Sequence, residues 1–282
     1  MGEMDSRGTK REKAHGSGTA EVKVAAVIPA RMASVRFPGK MLFRFHNLPM
    51  VEHVRRRALL CSEISEVIVA TCDEVIYDVV KESGGKVMMT SVEHKTGIDR
   101  IAEVIYQVNC SHVILLQGDE PLILPQDLSS LVDAIYRRPD VKAWNAVAPI
   151  EQDADFANHS VIKCVLSESG RILLCSRVTP CVSDISDQKR YVRKILGLMG
   201  FDRECLKEVV SRGDTPYGMS EFIEQSRILE YDFALHAVEM PLSYPSVNFH
   251  SDVALVESWL LRDVVQREIL SRILVVDSRR ES

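Results

Sequence analysis

The sequence predicts an α/β fold built on a mostly parallel sheet flanked by helices, and three observations point there. Short continuous apolar runs recur at Val24–Ile28, Val67–Thr71 and His112–Leu116, and runs of that length without polar alternation suit strands buried on both faces. Between them, apolar residues return at helical spacing, as in Met50, Val51, Val54, Ala58 and Leu59. Short strands alternating with helices imply βαβ units with right-handed crossovers, so the carboxyl ends of the strands share one edge. Finally, charged residues follow the first and fourth strands directly, where open α/β sheets receive ligands.

In chain order, residues 1–21 are polar, with Gly2, Gly8, Gly16 and Gly18 and no apolar period. They are expected to be a disordered tail ahead of one domain over 22–282. Val24–Ile28 ends at Pro29. Pro49 stands where a first helical turn tolerates it, opening the helix that carries Met50 to Leu59. Val67–Thr71 is the second strand. A helix over Glu74–Glu82 then stops at Gly84-Gly85, and Lys86–Met89 is a short third strand. Ile98–Val108 reads as a helix with Thr96 at its N-cap and Asp99 in the capping-box position. His112–Leu116 runs into Gln117-Gly118-Asp119-Glu120-Pro121, and a helix spans Pro125–Arg137. The character then changes. Val161–Leu166 and Ile172–Ser176 flank Ser169-Gly170 as a hairpin, and Ile195–Phe201 is a further strand. Met219–Leu229 and Asp252–Val265 read as helices, the second with Val253, Val256, Trp259, Leu260 and Val264 on its apolar side.

Composition sets limits on function. With 46% hydrophobic and 27% charged residues over 282, the chain can bury a substantial core. Its 35 Lys and Arg against 40 Asp and Glu argue against bulk nucleic-acid binding. No apolar run approaches the ~20 residues that span a bilayer, and no signal-peptide core precedes the first strand, so neither nucleic acid nor membrane is an expected partner and a cytoplasmic location is expected. Seven cysteines without a CxxC spacing are expected to be reduced thiols.

Because the chain is acidic overall, the basic stretch after the first strand is local. Arg31, Arg36 and Lys40 alternate with Ala30, Ala33, Ser34 and Gly39, and no acidic residue occurs from Pro29 to Met50. Such a loop can bring cations and backbone N–H groups to a polyanion; the plainer alternative is a solvated basic loop. It is neither a P-loop nor a G-x-G-x-x-G fingerprint. Asp119, at the end of a buried strand and after Gly118, which lets a ligand come close to the backbone, can offer magnesium the hard oxygen it prefers. It could equally be a turn or capping residue. Gly97, at the start of the helix, leaves space for a base or phosphate, although capping alone explains the segment.

The stretches IPARMASVRFPGK, HKTGIDRIAE and LLQGDEPLI, in that order, together resemble the 3-deoxy-manno-octulosonate cytidylyltransferases (CMP-Kdo synthetases) among sugar nucleotidyltransferases. A weaker likeness continues through VIKCVLSESGRILLCSR and IEQSRIL. The resemblance implies a Rossmann-like nucleotidyltransferase sheet with a smaller mixed, β-rich acceptor and dimerisation region. It divides the domain into a CTP-binding half over about 22–145, an acceptor and dimerisation region over about 146–245, and a closing helix over about 246–282. It implies transfer of CMP from CTP to an acidic small-molecule acceptor with release of pyrophosphate, with Mg²⁺ as cofactor and a homodimer as the assembly. Carried over by position, Ala30, Arg31, Ser34, Arg36 and Lys40 would bind the triphosphate, with Arg31 and Lys40 stabilising its developing charge. Thr96, Gly97 and Gln117 would meet the cytosine, and Asp119 the metal. Lys163, Arg177, Glu224 and Gln225 would lie on the acceptor side.

The acceptor half departs from the family pattern. Ile195-Leu196-Gly197-Leu198-Met199-Gly200-Phe201 stands where the family has a histidine and two tyrosines, and Gly218-Met219 replaces a Glu-His pair. Asn248 takes the place of the second metal carboxylate, which removes one formal charge from the ion's surroundings. These changes raise a second acceptor, a small phosphonate that lacks a polyol, and a third reading, a nucleotide-binding pseudoenzyme.

Overall fold

The structure is a computed structural model that describes residues 22–179 and 181–275, so the tail expected over 1–21 lies outside the described residues. Its strands are β1 Val24–Ala30, β2 Arg44–Phe45, β3 Leu48–Pro49, β4 Glu66–Thr71, β5 Lys86–Met89, β6 His112–Leu116, β7 Ala143–Ala148, β8 Lys163–Leu166, β9 Ile172–Ser176, β10 Val192–Asp202 and β11 Leu235–Glu239. Nine of them form one sheet in the order β11-β7-β10-β6-β1-β4-β5, with β8 and β9 continuing from β10. β1 runs parallel to both β4 and β6, and β5 is parallel to β4. β10 is antiparallel to β6 and β7. The strands from β7 to β11 therefore extend the same sheet.

The apolar run of β1 is buried throughout except at Pro29. Its side chains alternate between two cores, as the strand period requires. Ala26 and Ile28 face the layer holding helices Met50–Ala58 and Pro125–Arg137, while Ala25 and Val27 face helix Gly97–Ile105. The helix Met50–Ala58 is buried all round, including Glu52, Arg55, Arg56 and Arg57. Glu52 offsets that burial by pairing with Arg55 at 2.6 Å and Arg56 at 2.9 Å.

Several elements differ from the sequence reading. The expected helix over Met219–Leu229 is two, Pro216–Glu221 and Glu224–Glu230, because Phe222 takes a left-handed φ of 53° and the extended Ile223 turns into the core. The closing helix is also two, Val253–Arg262 and Val264–Leu274, divided where Asp263 caps the second by accepting Gln266 N–H at 2.8 Å. β10 is longer than Ile195–Phe201 because Val192, Arg193 and Lys194 pair with β8. β7, β11 and helix Arg203–Ser211 were not foreseen. Between β2 and β3, His46 and Asn47 both adopt positive φ, 49° and 65°, the geometry that closes a two-residue hairpin. All seven cysteines are free and five are buried. No helix among the described residues is long and apolar enough to cross a membrane.

Candidate active site

Because β1 and β6 are parallel neighbours, the segments after them leave the sheet at one edge. They meet there: Lys40 Nζ lies 2.5 Å from Asp119 Oδ2, with the lysine side chain 10% and the aspartate 22% exposed. Lys40 also donates to Val247 O at 3.1 Å, and Val247 N–H donates to Asp119 O at 2.9 Å. The loop after β1 folds back on itself. Ser34 and Gly39 N–H both donate to Met32 O, while Met32 N–H is anchored on Asp73 Oδ2 at 2.8 Å.

A cleft of ≈ 690 Å³ opens at this edge. Of the residues singled out in the sequence, Ala30, Arg31, Ser34, Arg36, Lys40, Thr96, Gly97, Gln117, Asp119, Arg177 and Glu224 all line it. Helix Gly97–Ile105 presents its N-terminus to the cleft, and Thr96 Oγ1 caps it by accepting Asp99 N–H at 3.2 Å. The first free donor, Gly97 N–H, is already given to Glu224 Oε1 at 2.8 Å. The other oxygen, Glu224 Oε2, is buried without a partner. Burial pushes the Glu224 carboxyl above its usual range, while the Gly97 N–H and the Arg31 charge oppose that shift.

Three expected site residues lie off the cleft lining. Lys163 is 2% exposed, and its ammonium donates to Asn158 O at 2.6 Å and Arg177 O at 2.8 Å, with burial lowering its pKa. Gln225 turns into the core and donates to Asn145 Oδ1 at 2.9 Å. Asn248 stands at the rim with its Oδ1 accepting from Arg36 Nη2 at 2.9 Å. Arg177 does face the cleft, held by the carbonyls of Glu221, His159 and Phe222.

Other features escaped the sequence reading. His94, Lys95 and Arg100, whose one cue is the basic lead-in HKTGIDR, join the lining together with Phe222, which no sequence signal marks. Glu120, next to Asp119, has its pKa pushed up to about 7, first by burial and then by the Asp119 charge. Gly118 is buried, and a Cβ there would meet Met41 Sδ at 2.8 Å and Pro29 O at 3.2 Å. Close packing of the protein on itself, and not approach of a ligand, accounts for that glycine.

Magnesium needs several hard oxygen ligands. Among the described residues no group of three or more His, Cys, Asp or Glu is placed to hold a metal. Asp119 is a single carboxylate open to a cationic cleft, which fits an ion that brings its remaining ligands with a phosphate chain.

The family model described as Cytidylyltransferase matches residues 25–240. A 3-deoxy-manno-octulosonate cytidylyltransferase of Geobacter metallireducens is 35% identical over 243 residues, covering 82% of this chain and 95% of the relative. One from Solibacter usitatus is 33% identical over 245 residues, covering 86% and 97%. A solved structure of CMP:2-keto-3-deoxy-manno-octonic acid synthetase complexed with CTP matches with a TM-score of 0.80 at 30% identity, over 86% of this chain and 100% of the other. A 4-diphosphocytidyl-2C-methyl-D-erythritol synthase from Anaerococcus prevotii matches at a TM-score of 0.60 over 86% of this chain and 99% of the other; at 12% identity it shares the fold alone.

Proposed function

The chain belongs to the cytidylyltransferase family and is a nucleotidyltransferase, and from that premise we propose that it transfers CMP from CTP to an acidic acceptor of the 3-deoxy-manno-octulosonate class, releasing pyrophosphate. The observation that carries this reading is the contact between Lys40 and Asp119, at the ends of adjacent parallel strands and on the wall of one cleft. A triphosphate requires both signs of charge at one place, cations for its own charge and a carboxylate for the ion it carries.

In this mechanism an acceptor oxygen attacks the α-phosphorus in line with the bond to the bridging oxygen. The new P–O bond forms as the old one breaks, and the electrons leave with pyrophosphate. Arg31, Arg36 and Lys40 neutralise charge that grows on the leaving phosphates. Lys40 is fixed in advance by Asp119 and Val247, so it needs little reorganisation during the transfer. Asp119 would hold magnesium, which when bound neutralises phosphate charge and orients the chain. Thr96, Gly97 and Gln117 line the side where the cytosine would lie, and Glu224, whose Oε1 accepts the Gly97 N–H, holds that helix start in place. A homodimer in the cytoplasm belongs to the same reading.

A second acceptor is favoured by a specific observation. Lys163 and Gln225 are spent on internal contacts, and Ile195, Met199 and Phe201 are buried apolar residues of β10. Of the four positions expected on the acceptor side, Arg177 and Glu224 line the cleft, and Phe222 joins them. A small phosphonate, charged and free of a polyol, suits that wall.

Pyrophosphate release from CTP with Kdo, 8-amino-Kdo, sialic acid and a set of phosphonates tests both. Release with Kdo or its amino derivative supports the first reading, and release with phosphonates alone supports the second. CTP binding without pyrophosphate from any acid would overturn both in favour of a pseudoenzyme.

A further inference from the structure

Asn248 stands where the resemblance places a metal carboxylate, yet its oxygen has another task. Oδ1 accepts from Arg36 Nη2 at 2.9 Å, and the same guanidinium lies over the Phe249 ring, 4.9 Å from its centroid. Two consecutive residues of one turn thus hold one cation from two sides. The turn is itself fixed. Asp252 Oδ2 accepts the N–H groups of both Asn248 and Phe249 at 2.8 Å, and Asn248 Nδ2 donates to Ser246 Oγ at 3.0 Å. Just before it, Val247 is bound to Lys40 and to the Asp119 backbone.

This arrangement has two physical consequences. Arg36 lies on an exposed loop, where a long side chain loses rotamer freedom when it grips a phosphate. Seating the guanidinium beforehand removes much of that loss from the binding step. The chemistry of the seat also matters. A carboxylate at this position would pair with Arg36 and cancel its charge, whereas an amide oxygen accepts the hydrogen bond and leaves the full positive charge for an incoming anion.

We propose that Asn248 and Phe249 are positioning residues that aim Arg36 at the triphosphate, and that Asn248 acts through Arg36 and not as a metal ligand. The proposal rests on the nucleotide reading above and adds to it a task for the position at which the chain departs from its family.

A double-mutant cycle on CTP affinity tests it. Calorimetric titration of wild type, Arg36→Ala, Asn248→Ala and the double variant is carried out with Mg²⁺ and with EDTA, and Asn248→Ser serves as a second, smaller change. Asn248→Ala is expected to weaken CTP by about threefold to tenfold, as for one partly exposed charged hydrogen bond. It should have no further effect once Arg36 is gone. Asn248→Asp should weaken CTP as well, by neutralising the guanidinium. Additive effects of Arg36→Ala and Asn248→Ala would overturn the proposal, as would an Asn248→Asp variant that binds CTP more tightly only when Mg²⁺ is present. Failure of the wild type to bind CTP in either buffer would instead sink the nucleotide reading, and this inference with it.

Discussion

Asp119 and Glu120 are adjacent acids with opposite circumstances, and the difference divides their tasks. Asp119 keeps 22% of its side chain exposed at the cleft and has Lys40 as a partner. Replacing it by Asn keeps an oxygen for Lys40 while removing the charge that magnesium needs. Asp119→Asn is expected to lower metal-dependent turnover by about a hundredfold or more with a nearly unchanged melting temperature. Turnover like wild type would take Asp119 out of the metal site. Glu120 has a folded pKa of about 7 against an ordinary value of 4.5. The folded state therefore holds its proton more tightly than the unfolded chain, and the associated stability is present at low pH and lost as pH rises from about 4.5 through 7. The shift of 7 − 4.5 corresponds to at most about 3 kcal/mol. Urea unfolding at pH 4.5 and 7.5 should show Glu120→Gln gaining stability relative to wild type at the higher pH; a difference that stays constant with pH would refute the burial argument.

At the scale of elements, the wall of the cleft depends on helix Glu224–Glu230 being locked to helix Gly97–Ile105. Arg227 does this with a 2.6 Å contact to Asp99, the two side chains 7% and 17% exposed, and with a bond to Val210 O. Breaking a pair this well buried leaves Asp99 without its cation, so Arg227→Ala should cost about 2–4 kcal/mol in chemical denaturation. Arg137→Ala, which removes an exposed pair with Asp133, should stay within about 0.5 kcal/mol. Equal costs for the two would contradict the assigned roles. Legibility in the sequence followed the same divide between apolar pattern and buried polarity. β1, β4, β6 and the helices Glu74–Glu82 and Pro125–Arg137 could be read closely because their apolar period is plain. β7 could not, because Asn145 at its centre is fully buried and finds its partners in Leu196 O and Gln225, far along the chain. Nothing in the apolar period of helix Met50–Ala58 marks its arginines as buried, yet they are covered, Arg56 by Ile273 O of the last helix and Arg57 by Ile123 O. At the cleft, parallel strand order brought Lys40 and Asp119 within reach of inference. The inward turn of Lys163 and Gln225 depended on carbonyls and amides that pattern alone does not locate.

Across the whole molecule, the cleft joins segments that are distant in the chain. Lys40 reaches Val247, 207 residues on, and Arg36 reaches Asn248, 212 residues on. The closing segment then returns over the first half, where Gln266 Nε2 donates to Leu122 O at 2.8 Å. A loop held from so many sides is organised before any ligand arrives, and the account rests on that loop and Asp119 serving one nucleotide. Calorimetric titration of CTP into the wild type and into Lys40→Ala tests this most directly. The account predicts one saturable site per chain, weakened about tenfold or more in the variant by the loss of a partly buried cation. No heat from CTP with the wild type, or equal affinity in the two proteins, would contradict it.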